Sequence, residues 1–324
     1  MPIRALLLVA CAVAVANAQN LSSLTPEERA RLEAQNAALR GSMAAAARLP
    51  LTPAPIRVTP PSTDGWAMGM VSWVAAGRDG LVYLLQRGDR ADPVIVIDRE
   101  GRVVRSWGKG LYQTPHAIRL DPAGHVWTTD AANSMVYKFS PRGELLLKIE
   151  VGGQPSPCGT FCSTTDIAFA PDGHLLVADG YRNARVIEYT ADGRKVREWG
   201  RAGTGPGEFR LPHSIQVDAR GTVYVADREN GRIQRFDRLG TYLGEWSQFG
   251  KTFGMTLAGG AMWLSSIPRG PNNVPGWLIK VDPATAGVLG VVESSGNHGM
   301  DVTPEGELLH APGPDLVPQR YGGE

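Results

Sequence analysis

The chain has 324 residues, 43% of them hydrophobic, which is enough to bury a large core. Its 33 basic and 32 acidic residues nearly cancel and leave a formal net charge of +1. This balance argues against a nucleic-acid partner and against a polybasic patch for membrane lipids. The 39 glycines and 24 prolines are typical of many short strands joined by tight turns.

Residues 1–18 are predicted to form a signal peptide. An apolar run ends in Ala16-Asn17-Ala18, and small residues in this pattern are typical of secretory cleavage sites. The run is too short to span a bilayer, so we expect an exported protein, periplasmic or secreted, with no membrane span. Almost no apolar segment precedes Cys11, so we do not expect a lipid anchor there.

Residues 19–50 are predicted to form a helical spacer. Thr25 is placed as the N-cap, Pro26 as the first helical residue, and Glu28 completes a capping box. Because the apolar face of this helix is mostly alanine, we expect it to lie outside the core.

Residues 51–324 contain six copies of one unit. Each strong copy has an alternating strand, a glycine turn, a second strand ending in Asp, and two further strands. The strong copies are residues 115–149, 164–199 and 212–246, and the weaker ones are residues 70–107, 252–292 and a last copy from residue 297. Four short antiparallel strands in 40 to 50 residues are typical of a propeller blade.

We therefore predict an all-β, six-bladed β-propeller. The last unit is too short for four strands, and a segment such as residues 55–59 is expected to supply its outer strand and close the ring. An irregular β-sandwich is the alternative, but it does not explain the internal period.

Three histidines occupy one slot in alternate repeats. His116, His213 and His298 each precede the turn glycine of their repeat by eight residues. In the first and third repeats this slot holds Ser72 and Thr165, and the fifth repeat does not align. Inner strands line the central channel, so the three imidazoles are expected to converge. Three nitrogen ligands with a fourth position open are typical of a catalytic Zn²⁺ site.

The alternative is that these histidines only hydrogen-bond water or backbone, which leaves their common register unexplained. The other histidines are interpreted as structural: His125, His174 and His310.

An arginine or a tyrosine recurs about fifteen residues after the slot residue. At this position the chain leaves the second strand and enters a loop on one face of the propeller. Arg87 and Arg228 stand at this offset, and Tyr181 follows it in the third repeat. A guanidinium fits a carboxylate, and a tyrosine near Zn²⁺ and cations can have its pKa lowered enough to act as a base. The pattern indicates a small anionic substrate, although either arginine alone could be a surface ion pair.

Two cysteines remain after signal cleavage, Cys158 and Cys162. In an exported protein a close pair is expected to form a disulfide. Two free thiols are the alternative.

With these residues the chain resembles the peptidyl-α-hydroxyglycine α-amidating lyases, which are six-bladed propellers of NHL repeats. The likeness is strongest over three segments: TPHAIRLDPAGHVWTTD, FCSTTDIAFAPDGHLLVADGYRNARV and FRLPHSIQVDARGTVYVADRENGRIQRF. It implies zinc binding by His116, His213 and His298, a base at Tyr181, and active-site arginines at Arg87 and Arg228. The implied reaction splits a C-terminal α-hydroxyglycine into a peptide amide and glyoxylate.

The sixth repeat departs from this family at a structural calcium site. Gly299 stands where the family has an aspartate, and Gly296 where it has a methionine. Ca²⁺ is therefore not expected unless Asp301 or backbone carbonyls replace the missing ligand.

The leading hypothesis is an exported, monomeric, zinc-dependent lyase for a peptide or small molecule with a C-terminal carboxylate. The first alternative is a non-catalytic NHL propeller that binds a protein or peptide. A zinc hydrolase such as a lactonase ranks last.

Overall fold

The computed structural model describes residues 24–153, 160–272, 274–314 and 316–323. The predicted signal peptide, including Cys11, lies outside these ranges, and so does Cys158. Cys162 lies within them and is fully buried. The signal peptide and the disulfide therefore stay predictions.

Six four-stranded antiparallel sheets form a six-bladed β-propeller, as predicted. One helix, α1 (Pro26–Ala45), and one strand, β1 (Thr52–Pro55), precede the first blade. Blade 1 contains β2 (Val71–Ala76), β3 (Val82–Gln86), β4 (Val94–Ile97) and β5 (Val103–Trp107). Blade 2 contains β6 (Pro115–Leu120), β7 (Val126–Asp130), β8 (Met135–Phe139) and β9 (Leu145–Glu150). Blade 3 contains β10 (Thr164–Phe169), β11 (Leu175–Asp179), β12 (Arg185–Tyr189) and β13 (Lys195–Trp199).

A short parallel pair, β14 (Arg201–Ala202) and β15 (Glu208–Phe209), leads into the second half of the ring. Blade 4 contains β16 (Pro212–Val217), β17 (Val223–Asp227), β18 (Arg232–Phe236) and β19 (Tyr242–Trp246). Blade 5 contains β20 (Lys251–Ala258), β21 (Ala261–Ile267), β22 (Gly276–Val281) and β23 (Val288–Ser294). Blade 6 contains β24 (Met300–Val302), β25 (Leu308–His310) and β26 (Gln319–Gly322).

The first strand of every blade lines the central channel, and each contacts the first strands of both neighbouring blades. These inner strands are almost wholly buried, whereas the outer strands β5 and β13 alternate between exposed and half-buried residues. The difference follows from position, because only the outermost strand keeps one face in water. Side chains at the start of the inner strands therefore meet inside the ring.

An N-terminal strand closes the ring, as predicted. Strand β1 pairs antiparallel with β26, from Thr52 opposite Gly322 to Pro55 opposite Gln319. The closing strand is Thr52–Pro55 and not residues 55–59. This strand contains two prolines, which an edge strand tolerates because one side of it needs no backbone donor.

The predicted capping box of helix α1 is present. The Thr25 hydroxyl accepts from the Glu28 amide at 3.2 Å, and the Glu28 carboxylate accepts from the Thr25 amide at 2.8 Å. No helix in the described part of the chain is long and apolar enough to cross a membrane.

The expectation that helix α1 lies outside the core is wrong for one face of it. Leu39 and Met43 are buried and belong to a cluster that includes Trp246 and Phe249 of the propeller. Their spacing of four places both side chains on one face of the helix, and this short stripe is enough to dock an otherwise alanine-rich segment.

Candidate active site

Three buried histidines meet at one point of the channel. His116 is the second residue of β6, His213 is the second residue of β16, and His298 stands two residues before β24. Their ring centroids are 4.9, 4.9 and 5.2 Å apart. One ring nitrogen of each lies within 4.8 Å of the others, a spacing that suits three ligands of one ion.

The outer ring nitrogen of each histidine is held by a backbone carbonyl of the next blade. The Nδ1 bonds run from His116 to Thr165 at 2.6 Å, from His213 to Phe253 at 2.7 Å, and from His298 to Ser72 at 2.6 Å. A carbonyl oxygen only accepts, so each Nδ1 carries the proton and each Nε2 presents a lone pair. This is how proteins orient metal-ligating imidazoles.

A β-bulge marks the slot in each of the first five blades. The register of the first strand pair shifts at this position in every one of them. A bulge leaves a residue outside the ladder and re-aims its side chain, so the slot residue can turn towards the axis. Phe253 is the slot residue of blade 5. Sequence alignment missed it because the turn there has two residues, Gly259 and Gly260, where the other blades have five.

Burial keeps the three imidazoles neutral. Burial, with the charges of nearby arginines and histidines, puts the pKa values of His116 and His213 well below their usual range. The same causes lower the pKa of His298 to about 3. Neutral imidazole is the form that binds a metal ion.

Tyr181 follows β11 and reaches the histidines. Its hydroxyl lies 2.8 Å from His116 Nε2 and 3.3 Å from His213 Nε2. Each Nε2 holds a lone pair, so the tyrosine hydroxyl is the donor and the imidazole nitrogen the acceptor. Burial raises the pKa of Tyr181, although Arg228 and Arg87 act to lower it. The sequence predicted a lowered pKa for Tyr181 from the combined charge of a bound zinc ion and nearby cations. The two arginines alone do not outweigh the effect of burial on this pKa.

Arg87 and Arg228 flank the tyrosine. The Arg87 Nε donates to the Pro115 carbonyl at 2.9 Å, while its Nη2 is buried with no partner among the described residues. The Arg228 guanidinium lies over the Phe253 ring at 4.6 Å and over the Tyr181 ring at 5.9 Å. An unpaired buried donor costs stability, so Arg87 is suited to bind an anionic group that enters the site.

Three further residues support this arrangement, and the sequence did not single them out. Phe161 stacks on Tyr181 with ring centroids 4.7 Å apart. Glu229 accepts from Arg228 at 2.9 Å and from Lys251 at 2.8 Å. Glu229 could have been found through its place beside Arg228, but nothing in the sequence marks Lys251.

Aspartates at the ends of the second strands accept hydrogen bonds from the loops that lead into the site. Asp130 accepts from the Thr114 amide at 2.9 Å, two residues before His116. Asp227 accepts from the Arg210 amide at 2.8 Å, three residues before His213.

The three remaining histidines lie outside this site, and each has a side-chain partner; His174 also forms, with Asp172 and Glu188, a second group whose spacing could hold a metal ion. His125 pairs with Asp121, His174 with Glu188, and His310 with Ser265.

Comparison with known proteins identifies the relatives of this chain. The NHL repeat model matches residues 209–236. The mouse (Mus musculus) peptidyl-glycine alpha-amidating monooxygenase is 39% identical over 177 residues, which are 51% of this chain and 18% of that protein. A probable peptidyl-alpha-hydroxyglycine alpha-amidating lyase of Caenorhabditis elegans is 35% identical over 196 residues, 52% of this chain and 56% of that protein. The resemblance seen in the sequence is confirmed. The match thus spans 18% of the length of the mouse protein and 56% of that of the Caenorhabditis elegans protein.

Other similarities bear on the fold and the repeats. The human NHL repeat-containing protein 3 is 35% identical over 185 residues, 52% of each chain. A streptogramin B lyase structure has a TM-score of 0.60 at 15% identity, covering 85% of this chain and 98% of that one. A chain of a nidogen–laminin complex has a TM-score of 0.56 at 16% identity, covering 71% of this chain and 83% of that one. At these identities the structures show the propeller fold alone.

Proposed function

We propose that this chain is an exported, zinc-dependent lyase that splits a peptidyl-α-hydroxyglycine into a peptide amide and glyoxylate. The observation that carries the proposal is the set of three buried Nε2 lone pairs beside the Tyr181 hydroxyl. The names of the amidating relatives support the type of reaction. The peptide substrate and the monomeric state belong to the same proposal.

The donor set fits zinc. Three neutral imidazoles with fixed Nδ1 protons match the three-histidine sites that keep a fourth position open. His116, His213 and His298 would hold the ion, which when bound supplies a Lewis acid that polarises an oxygen of the substrate.

The protein groups account for binding and proton transfer. The free Nη2 of Arg87 binds the substrate carboxylate, and Arg228 adds a second positive charge beside Tyr181. The phenolate of Tyr181 takes the hydroxyl proton. The C–N bond then breaks as the carbonyl of glyoxylate forms, and Tyr181 returns the proton that it has just taken to the departing amide nitrogen.

Export and the disulfide rest on sequence. The pattern of residues 1–18 supports cleavage after Ala18. An exported location in turn supports a bond between Cys158 and Cys162.

A binding propeller is the second candidate. The similarity to NHL repeat-containing protein 3, whose name specifies no reaction, favours it. It gives no reason for three lone pairs that converge in the channel, or for the unpaired nitrogen of Arg87.

The proposal is tested by glyoxylate release from a synthetic α-hydroxyglycine peptide, with metal-stripped protein and with zinc restored. We expect release only with zinc. The His213→Ala variant should lose both bound zinc and release. The His125→Ala variant is the matched control and should keep both, because His125 lies outside the site, where it pairs with Asp121. Folded, zinc-loaded protein that releases no glyoxylate would contradict the proposal.

A further inference from the structure

A buried guanidinium occupies the channel among the inner strands. It belongs to Arg119 of β6, whose exposed fraction is 6%. Its Nε and Nη2 donate to the two carboxylate oxygens of Asp166 at 3.0 and 2.7 Å, and Nη2 also donates to the Met255 carbonyl at 2.8 Å. A two-pronged pair of this kind is strong and fixed in direction.

All six blades contribute a residue to the cluster around Arg119. Its members, in order of blade, are Trp73, Arg119, Asp166, Ser214, Met255 and Met300. The Trp73 ring lies 4.8 Å from the guanidinium carbon. The Ser214 hydroxyl donates to Asp166 at 2.7 Å, and the Met300 carbonyl lies 3.4 Å from Arg119 Nη1. One positive charge therefore ties the whole ring together at its axis.

The oxygen atoms around this charge are of the kind that a hard cation prefers. Backbone carbonyls and carboxylates are the usual ligands of Ca²⁺, and the family resemblance implies a structural calcium ion. In this chain those oxygens already accept hydrogen bonds from Arg119.

The residues expected to complete a calcium site do not fit one. Gly299 offers no side-chain ligand, and a Cβ built there would lie 2.2 Å from the Trp73 ring. Asp301, the alternative ligand, is engaged as well. One of its oxygens accepts from the Thr256 hydroxyl at 3.0 Å, and the other accepts from the Ala76 amide at 2.9 Å.

We propose that Arg119 is a built-in cation that replaces a divalent ion at the axis of the propeller, so that the ring closes without calcium. A guanidinium carried by the chain cannot dissociate, and its positive charge repels a second cation at this position. The inference does not depend on the proposed lyase activity.

The test is the thermal unfolding of metal-stripped protein reloaded with zinc, with and without millimolar Ca²⁺. We expect the same Tm in both conditions, and no calcium in elemental analysis of the purified protein. A saturable rise in Tm with Ca²⁺, or one bound calcium per chain, would overturn the inference. Both readouts are independent of glyoxylate release, so the two proposals can fail separately.

A pair of variants tests the role of the guanidinium itself. Arg119→Ala leaves the Asp166 carboxylate buried without its partner, so we expect Tm to fall on the order of 10 °C. Arg78→Ala is the matched control. Arg78 is exposed and lines the same cavity as Arg119, so its replacement should leave Tm unchanged. An Arg119→Ala protein as stable as wild type would overturn the inference. If that variant does not fold, the calcium titration of the wild type still decides.

Discussion

Replacing Tyr181 with phenylalanine tests the proposed base with the smallest change that the site allows. The variant loses one hydroxyl, while the ring keeps its stacking on Phe161 and its contact with Arg228. In the metal-free protein the hydroxyl loses its contacts with His116 at 2.8 Å and His213 at 3.3 Å, which costs about 1 kcal/mol of stability. Loss of a general base lowers the rate by roughly 10² to 10⁴, or about 3 to 5 kcal/mol in the activation barrier.

The assay compares kcat for glyoxylate release at saturating zinc, with the zinc content of both proteins measured. We expect zinc binding and KM to stay close to wild type, because the three histidines and Arg87 are unchanged. The phenolate of Tyr181 is the form that accepts the proton, so the wild-type rate should increase with pH as the phenolate forms. The residual rate of the variant should lack that increase.

Two results would refute this reasoning. One is a zinc-loaded Tyr181→Phe protein with kcat within about threefold of wild type, since a positioned base contributes far more. The other is a variant whose rate falls only because zinc is lost, which would make the tyrosine a support for the metal site.

Four further predictions concern stability; the first three are checked by urea unfolding and the last by thermal unfolding. Gly299→Ala should lower the free energy of unfolding by about 1 to 3 kcal/mol, because its new methyl group would collide with the Trp73 ring. An unchanged stability would mean that the tryptophan moves aside. Gly41→Ala, in helix α1 with open space around it, should add about 0.5 to 1 kcal/mol, and a loss would show that the helix does not form. Leu39→Ala should cost about 2 to 4 kcal/mol if the helix is docked through its buried face, whereas no change would mean that this contact adds nothing. Deleting residues 24–55 should open the ring and lower Tm further than Leu39→Ala does.

The sequence predicted the ring and the convergence of its histidines because both repeat. A propeller places equivalent residues at equivalent radii, so His116, His213 and His298 could be brought together from their register alone. Their Nδ1 partners follow the same rule, because Thr165 and Ser72 occupy the same slot in other blades.

Contacts that break the repeat could not be predicted in this way. Arg119 stands three residues after the slot of its blade and Asp166 one residue after the slot of the next, so alignment of repeats does not pair them. Helix α1 has no counterpart in the repeats, and its docking depends on only two side chains, Leu39 and Met43. Lys251 reaches Glu229 from the adjacent blade.

Closure of the ring by β1 and β26 also sets an order of events during folding. The paired residues Thr52 and Gly322 lie at opposite ends of the propeller sequence, and contacts so far apart in the chain are entropically costly to form early. His298 belongs to the blade that this pairing completes. A chain whose last blade has not yet closed therefore carries only two of the three histidines in place. High-affinity capture of a metal ion should then report that the last blade has closed.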